Sequence, residues 1–207
     1  MKKTIIILAL LVSGLSFAQS QFETGMNKAM GLWKEGKSNE ASDLFERIAA
    51  ADKTSWLPNY YVALVNTTSS FSTQDKEKVS AMLAKAQKAL DVEFVKAPNN
   101  PELMVMQALI HTAWVVFDPM TNGMKLSMPI MELYTKAQVL APTNPRVVFG
   151  KAEYEINGAK WTGANVKELC KEVDNAVLLF KSFKPETPFH PSWGLDRALE
   201  KQKECNK

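Results

Sequence analysis

From Gln21 onward, apolar residues recur three and four positions apart, the spacing that places them on one face of an α-helix, and no stretch alternates as a half-buried strand would. The pattern predicts helices over residues 21–35, 39–51, 56–67, 75–97, 101–117, 128–141, 145–157, 165–183 and 192–204. Polar or turn-rich stretches separate them, the longest running from Thr67 to Lys76 and from Asp118 to Ser127. Asn122-Gly123 and Pro129 argue against helix in the second of these links.

The helices follow a repeating frame. Pro98-Asn99-Asn100-Pro101, Pro142-Thr143-Asn144-Pro145 and Pro188-Phe189-His190-Pro191 are turns of one type, spaced 44 and then 46 residues apart. Seven residues after each second proline stands an alanine: Ala108, Ala152 and Ala198. Fifteen before it stand Ala86, Ile130 and Ala176, and eleven before it Leu90, Tyr134 and Phe180. The frame extends upstream without prolines, where Ala41 and Phe45 precede Trp56 and Ala63 follows it; Ala29 lies 34 residues before Ala63. Proline belongs in the first helical turn, so Pro101, Pro145 and Pro191 should open helices and Pro98, Pro142 and Pro188 should close the preceding ones. Small residues let helix backbones approach, and large ones fill the facing groove. Four helix hairpins result. The ninth helix, with Asp196, Arg197, Glu200, Lys201, Lys203 and Glu204, has the polar outer face of a terminal cap.

This frame resembles the tetratricopeptide repeat, a 34-residue antiparallel helix pair with small-residue, aromatic and proline positions. Lys34 to Ile48, with Gly36, Ala41 and Phe45, carries the resemblance best, and later copies are about ten residues longer. The segment from Ala141 to Pro145 and the closing run from Phe183 to Gly194 are also similar to an uncharacterised group of secreted bacterial repeat proteins. The resemblance spans about residues 22–204 and implies an all-α solenoid of stacked antiparallel helix hairpins. In repeats of this kind the first helix of each hairpin lines the inner face. That implies a binding surface at Met30 and Trp33, Tyr60 and Leu64, Val105 and Leu109, and Phe149 and Glu153. Two outcomes are open: an apolar groove for a peptide or amphipathic helix, or an arc closed on itself with these residues as a second core.

The first residues change the compartment. Lys2 and Lys3 precede an apolar run from Ile5 to Phe17 with small residues at Ser16 and Ala18, the layout of a secretory signal peptide cleaved after Ala18. Residues 1–18 are then the leader and 19–207 one helical domain. The run is short for a bilayer span, and the first cysteine is Cys170, far from any lipidation position, so no membrane anchor is expected. The leader carries two of the 25 basic residues and none of the 22 acidic ones, so its loss takes the formal net charge from +3 to +1. Only Arg47, Arg146 and Arg197 supply guanidinium groups, and nothing supports nucleic-acid binding.

Candidate chemistry is sparse. His111 and His190 are the two histidines; His111, on the frame, reads as hydrogen-bonded helix packing, and His190 as capping or packing its turn. Phosphate loops, nucleophile elbows and kinase signatures are absent, and Glu153 and Glu155, two apart on a helix, read as solvated. No enzyme and no cofactor are therefore expected. Six methionines crowd residues 104–131: Met104, Met106, Met120, Met124, Met128 and Met131. Thioether sulfur can hold Cu(I), with Met120, Met124 and Met128 as the candidate ligands, although methionine more often fills gaps between helices. Cys170 lies thirteen residues before Phe183 and Cys205 thirteen after Ser192, so in an antiparallel pair about the Pro185 to Pro191 turn the two thiols face each other and should form a disulfide. The leading expectation is an exported, non-catalytic protein or peptide interaction module, and the alternative is a small-molecule or Cu(I) carrier.

Overall fold

Asparagine and proline at the recurring turns start helices as their chemistry dictates. A computed structural model describes residues 21–207, and the leader expected at residues 1–18 lies outside them. The side-chain oxygens of Asn100 and Asn144 accept the backbone N–H groups of Glu102 and Arg146, each at 2.9 Å. Pro101 and Pro145 follow in the first turn, where no N–H is needed. Asp75, Asp118 and Asn165 cap their helices in the same way.

Nine helices lie among the described residues: α1 (residues 21–34), α2 (Ser38–Ala51), α3 (Leu57–Ser70), α4 (Lys76–Lys96), α5 (Pro101–Phe117), α6 (Pro119–Leu140), α7 (Pro145–Thr162), α8 (Val166–Ser182) and α9 (Leu195–Cys205). Helix α3 pairs with α4, α5 with α6 and α7 with α8. Neighbouring hairpins meet through α2 and α3, α4 and α5, and α6 and α7, while α5 also touches both α3 and α7. Helix α9 caps α8. The protein is an all-α stack of helix hairpins.

The frame residues form its core. Ala29, Ala63, Ala108, Ala152 and Ala198 are buried, as are Ala41, Ala86, Ile130 and Ala176 and the large partners Phe45, Leu90, Tyr134 and Phe180. Small size matters at Gly150 as well, where an added Cβ would come within 2.7 Å of the Tyr134 ring. Replacing Ala108 or Ala152 with leucine should therefore overpack a helix contact and cost about 1–3 kcal/mol. Thermal melts of the two variants check this, and unchanged melting temperatures for both would dissociate the frame from the packing.

Two expectations need correction. The link from Asp118 to Ser127 is helical and forms the first part of α6. Asp118 caps it by accepting the Thr121 N–H at 3.0 Å, the Asn122 side chain donates to the Trp114 carbonyl at 2.9 Å, and Leu126 and Leu133 pack beside buried Ile130. Apolar packing on one face outweighs Gly123 and Pro129. The second correction concerns Pro191, which does not open a helix. Helix α9 begins at Leu195, after Gly194 at φ 111°, a left-handed conformation that favours glycine.

The chain between α8 and α9 does something else. Residues 183–194 form a strap that turns back across the inner face of the stack. Tyr61 donates its hydroxyl to the Phe189 carbonyl at 2.9 Å, and Trp193 donates its indole N–H to the Tyr60 hydroxyl oxygen at 2.8 Å. Phe189 joins the largest apolar cluster and meets Phe22 edge to face at 6.0 Å. The expected staple is present, joining the start of α8 to the end of α9: Cys170 and Cys205 are disulfide-bonded, with Cα atoms 5.7 Å apart.

Candidate functional site

The strap covers part of the expected binding face, at Tyr60 and Tyr61. Tyr60, Leu64, Val105 and Phe149 are buried, and they divide among three apolar clusters instead of lining one groove. Burial pushes the Tyr60 hydroxyl well above its ordinary pKa, so it stays a neutral partner for Trp193. Leu109 is half-buried against the same core. Glu153 is ion-paired to Arg197 of α9 at 2.6 Å, which corrects its reading as a solvated carboxylate and removes it as a free orienting charge. Met30 and Trp33 border an opening, a cleft of about 290 Å³ between α1 and the strap.

Elsewhere the chemistry sorts cleanly. Met104 and Met106 are core, whereas Met120, Met124 and Met128 are 92%, 95% and 71% exposed. Because α6 is helical here, these three share a face at every fourth residue, contrary to the sequence-based expectation that the link would separate them. His111 packs as expected, but its Nδ1 is buried with no hydrogen-bond partner among the described residues, and burial lowers its pKa. Lys201, assigned to the outer face of α9, is buried and reaches Asn157 at 3.3 Å and Glu204 at 2.6 Å.

A second, larger opening lies at the end of the stack where the recurring turns line up. It is a cleft of about 530 Å³, bordered by Trp56 before α3, by Ala97 to Glu102 at the start of α5, by Ala141 and Asn144 before α7, and by Phe183, Lys184, Glu186 and His190 of the strap. Its walls are largely apolar. The His190 ring meets Trp56 edge-on at 5.9 Å and Phe183 at 5.8 Å. Under this floor, Glu102 accepts a two-pronged contact from Arg146, Nε at 2.8 Å and Nη2 at 2.7 Å, and a further bond from the Asn144 amide at 2.6 Å. Both charges are buried. The Phe183 ring closes over the Arg146 guanidinium at 4.5 Å. Asn144 thus does two jobs, capping α7 with its oxygen and fixing Glu102 with its nitrogen.

Trp56, Glu102, Arg146 and Phe183 were not among the site residues expected from sequence. A signal did exist: Glu102 and Arg146 follow equivalent frame prolines, 44 residues apart, with opposite charge. Trp56 occupies the same frame position as those prolines.

No protein-family model matches the chain, and no curated protein matches it in sequence. Two solved structures share its fold. The HusA haemophore from Porphyromonas gingivalis superposes with a TM-score of 0.69 at 19% identity, covering 88% of this chain and 91% of that one. A thermophilic TPR protein of Thermus thermophilus gives a TM-score of 0.58 at 10% identity, covering 89% of this chain and 98% of that one. At these identities the likeness shows the helical-repeat fold.

Proposed function

We propose that this chain is an exported, non-catalytic binding protein whose cargo is a small, planar, mostly apolar molecule of the tetrapyrrole class, held in the turn cleft. The observation that carries this reading is the cleft itself. At about 530 Å³ it falls within the range of small-molecule sites, and it combines aromatic walls with a few polar groups. A peptide on the inner face, the leading expectation from sequence, is less well supported because the strap is bonded to Tyr60 and Tyr61 on that face. The haemophore likeness favours a small cargo over a peptide. Export is supported by the disulfide and by the leader-like first residues; no helix among the described residues is long and apolar enough to cross a membrane. The absence of a nucleophile, base and orienting group from the sequence motifs underlies the non-catalytic part of the reading.

The test is titration with metal-free protoporphyrin IX, followed by tryptophan quenching. Wild-type protein should bind one equivalent saturably. Ala141→Trp, which fills the cleft from its rim without removing a core side chain, should weaken binding about tenfold or more, equivalent to about 1.4 kcal/mol. Equal affinity in that variant, or no saturable binding by the wild type, rejects the site. One observation favours a second reading: the shared, exposed face of Met120, Met124 and Met128 suits Cu(I). Copper titration of a variant with leucine at all three positions separates the two, because tetrapyrrole binding should survive that change.

A further inference from the structure

Independently of the cleft, we infer that the opposite end of the stack docks on an anionic lipid surface through the tips of the hairpins α3–α4, α5–α6 and α7–α8. Because each hairpin is antiparallel, its tip lies at the far end from the turns that border the cleft. All three tips hold large apolar side chains out in water: Phe71 is 42% exposed, Val116 57%, Met120 92% and Trp161 74%, with exposed Val166 close by in sequence. The α1–α2 tip differs, with Gly36 between the ion-paired Glu35 and Lys37. The other exposed apolar side chains, such as Val95 and Val139, lie further along α4, α6 and α8. Single exposed aliphatics are ordinary, whereas aromatic rings gathered at one end with other apolar side chains mark a contact surface.

The charges around these side chains select the occupant. Residues 71–78, 116–128 and 160–171 hold six lysines and four acids. Three of the four acids are engaged. Asp75 and Asp118 cap α4 and α6, Asp75 also lies 3.5 Å from Lys78, and Glu168 pairs with Lys171 at 2.8 Å. Lys76, Lys125, Lys160 and Lys167 are exposed and form no ion pair among the described residues. The surface left over is apolar and positive, which complements a layer of acyl chains under anionic headgroups.

The α7–α8 tip shows how such a contact is built. The Lys160 ammonium sits over the Trp161 ring, 3.9 Å from its centroid, so cation and indole are presented together. At a bilayer boundary the ring takes the apolar side with its N–H still in reach of water, and the lysine stem lets the ammonium stay among the phosphates. A protein partner fits less well, because protein interfaces favour arginine and are depleted of lysine, and every cation in these tips is lysine. Docked on its tips, the stack holds the turn cleft away from the membrane, open to solvent.

The experiment mixes protein beginning at Gln19, after the expected leader, with phosphatidylcholine vesicles with or without phosphatidylglycerol, and reads binding by co-sedimentation. Wild-type protein should bind the anionic vesicles more tightly than the neutral ones, and high salt should weaken that binding by screening the lysines. Trp161→Ser should weaken it about fivefold or more, because a large ring no longer enters the headgroup boundary. Lys160→Gln with Lys167→Gln should weaken it about tenfold or more, on the basis of about fivefold for each lysine near the surface. Val95→Ser with Val139→Ser, which removes exposed apolar side chains away from the tips, should match the wild type. Absence of binding to anionic vesicles, equal binding to neutral ones, or tip variants that bind like the wild type overturn the assignment. So does a loss in the Val95 and Val139 variant as large as that of Trp161→Ser. A change of oligomeric state in Trp161→Ser with vesicle binding intact also overturns it, assigning the tips to a protein partner.

Discussion

Arg146→Ala should lower the unfolding free energy by about 3–5 kcal/mol, the cost expected when one member of a buried ion pair is removed. The guanidinium spans Glu102 through Nε and Nη2, and both side chains are shielded from water by the strap and the turn before α5. Removing the cation leaves a buried carboxylate with only the Asn144 amide as partner. Arg146→Lys should recover little, because an ammonium cannot reproduce the two-pronged geometry or lie flat against Phe183. The double variant Glu102→Met with Arg146→Met, in contrast, should fall within about 2 kcal/mol of wild type, since neither charge is then stranded. Denaturant unfolding of the three proteins reads these differences. A loss below about 1 kcal/mol for Arg146→Ala would mean that water reaches the pair and that the strap does not seal it.

The second large effect belongs to the disulfide. Cys170 and Cys205 are 35 residues apart, and a closed loop of that length stabilises by roughly 4 kcal/mol in the chain-entropy account. For a domain of this size that corresponds to a fall of about 10 °C in melting temperature on reduction or on Cys205→Ser. The loop contains the whole strap, so release of the staple should also make Trp193 more accessible to acrylamide, a change that general destabilisation below the melting transition would not produce. A melting temperature that moves by less than about 2 °C, with Trp193 still protected, would show that packing of α8 against α9 is sufficient.

Much of the architecture could be read in advance because helix packing has a local signature. An alanine facing a large residue at a fixed interval is a statement about backbone approach, and Ala108, Ala152, Leu90 and Tyr134 all lie in the core where that statement puts them. The disulfide followed from helix register for the same reason. The first half of α6 was misread because Gly123 and Pro129 are local breakers, whereas the apolar face through Leu126, Ile130 and Leu133 is satisfied only by contact with other helices. The cleft was less legible still. Its walls come from four turns, and the decisive event, the return of Phe183 to Trp193 across the inner face, leaves no periodicity to detect. A prolyl, aromatic and polar run reads equally well as an ordinary connection.

The strap also alters the order in which the chain can fold. Repeat stacks ordinarily grow from any point, each unit needing only its neighbours. Here the bonds from Tyr61 to Phe189 and from Trp193 to Tyr60 span 128 and 133 residues, and the apolar cluster built on α1 to α5 lacks Phe189 and Trp193 until those residues are in place. Contacts of such long sequence separation slow folding, because the intervening chain must be ordered first. A nascent chain emerging from the ribosome with only its first hairpins available is therefore held short of the native state. For an exported chain, as proposed, that delay keeps the core incomplete until the residues of the strap have been made.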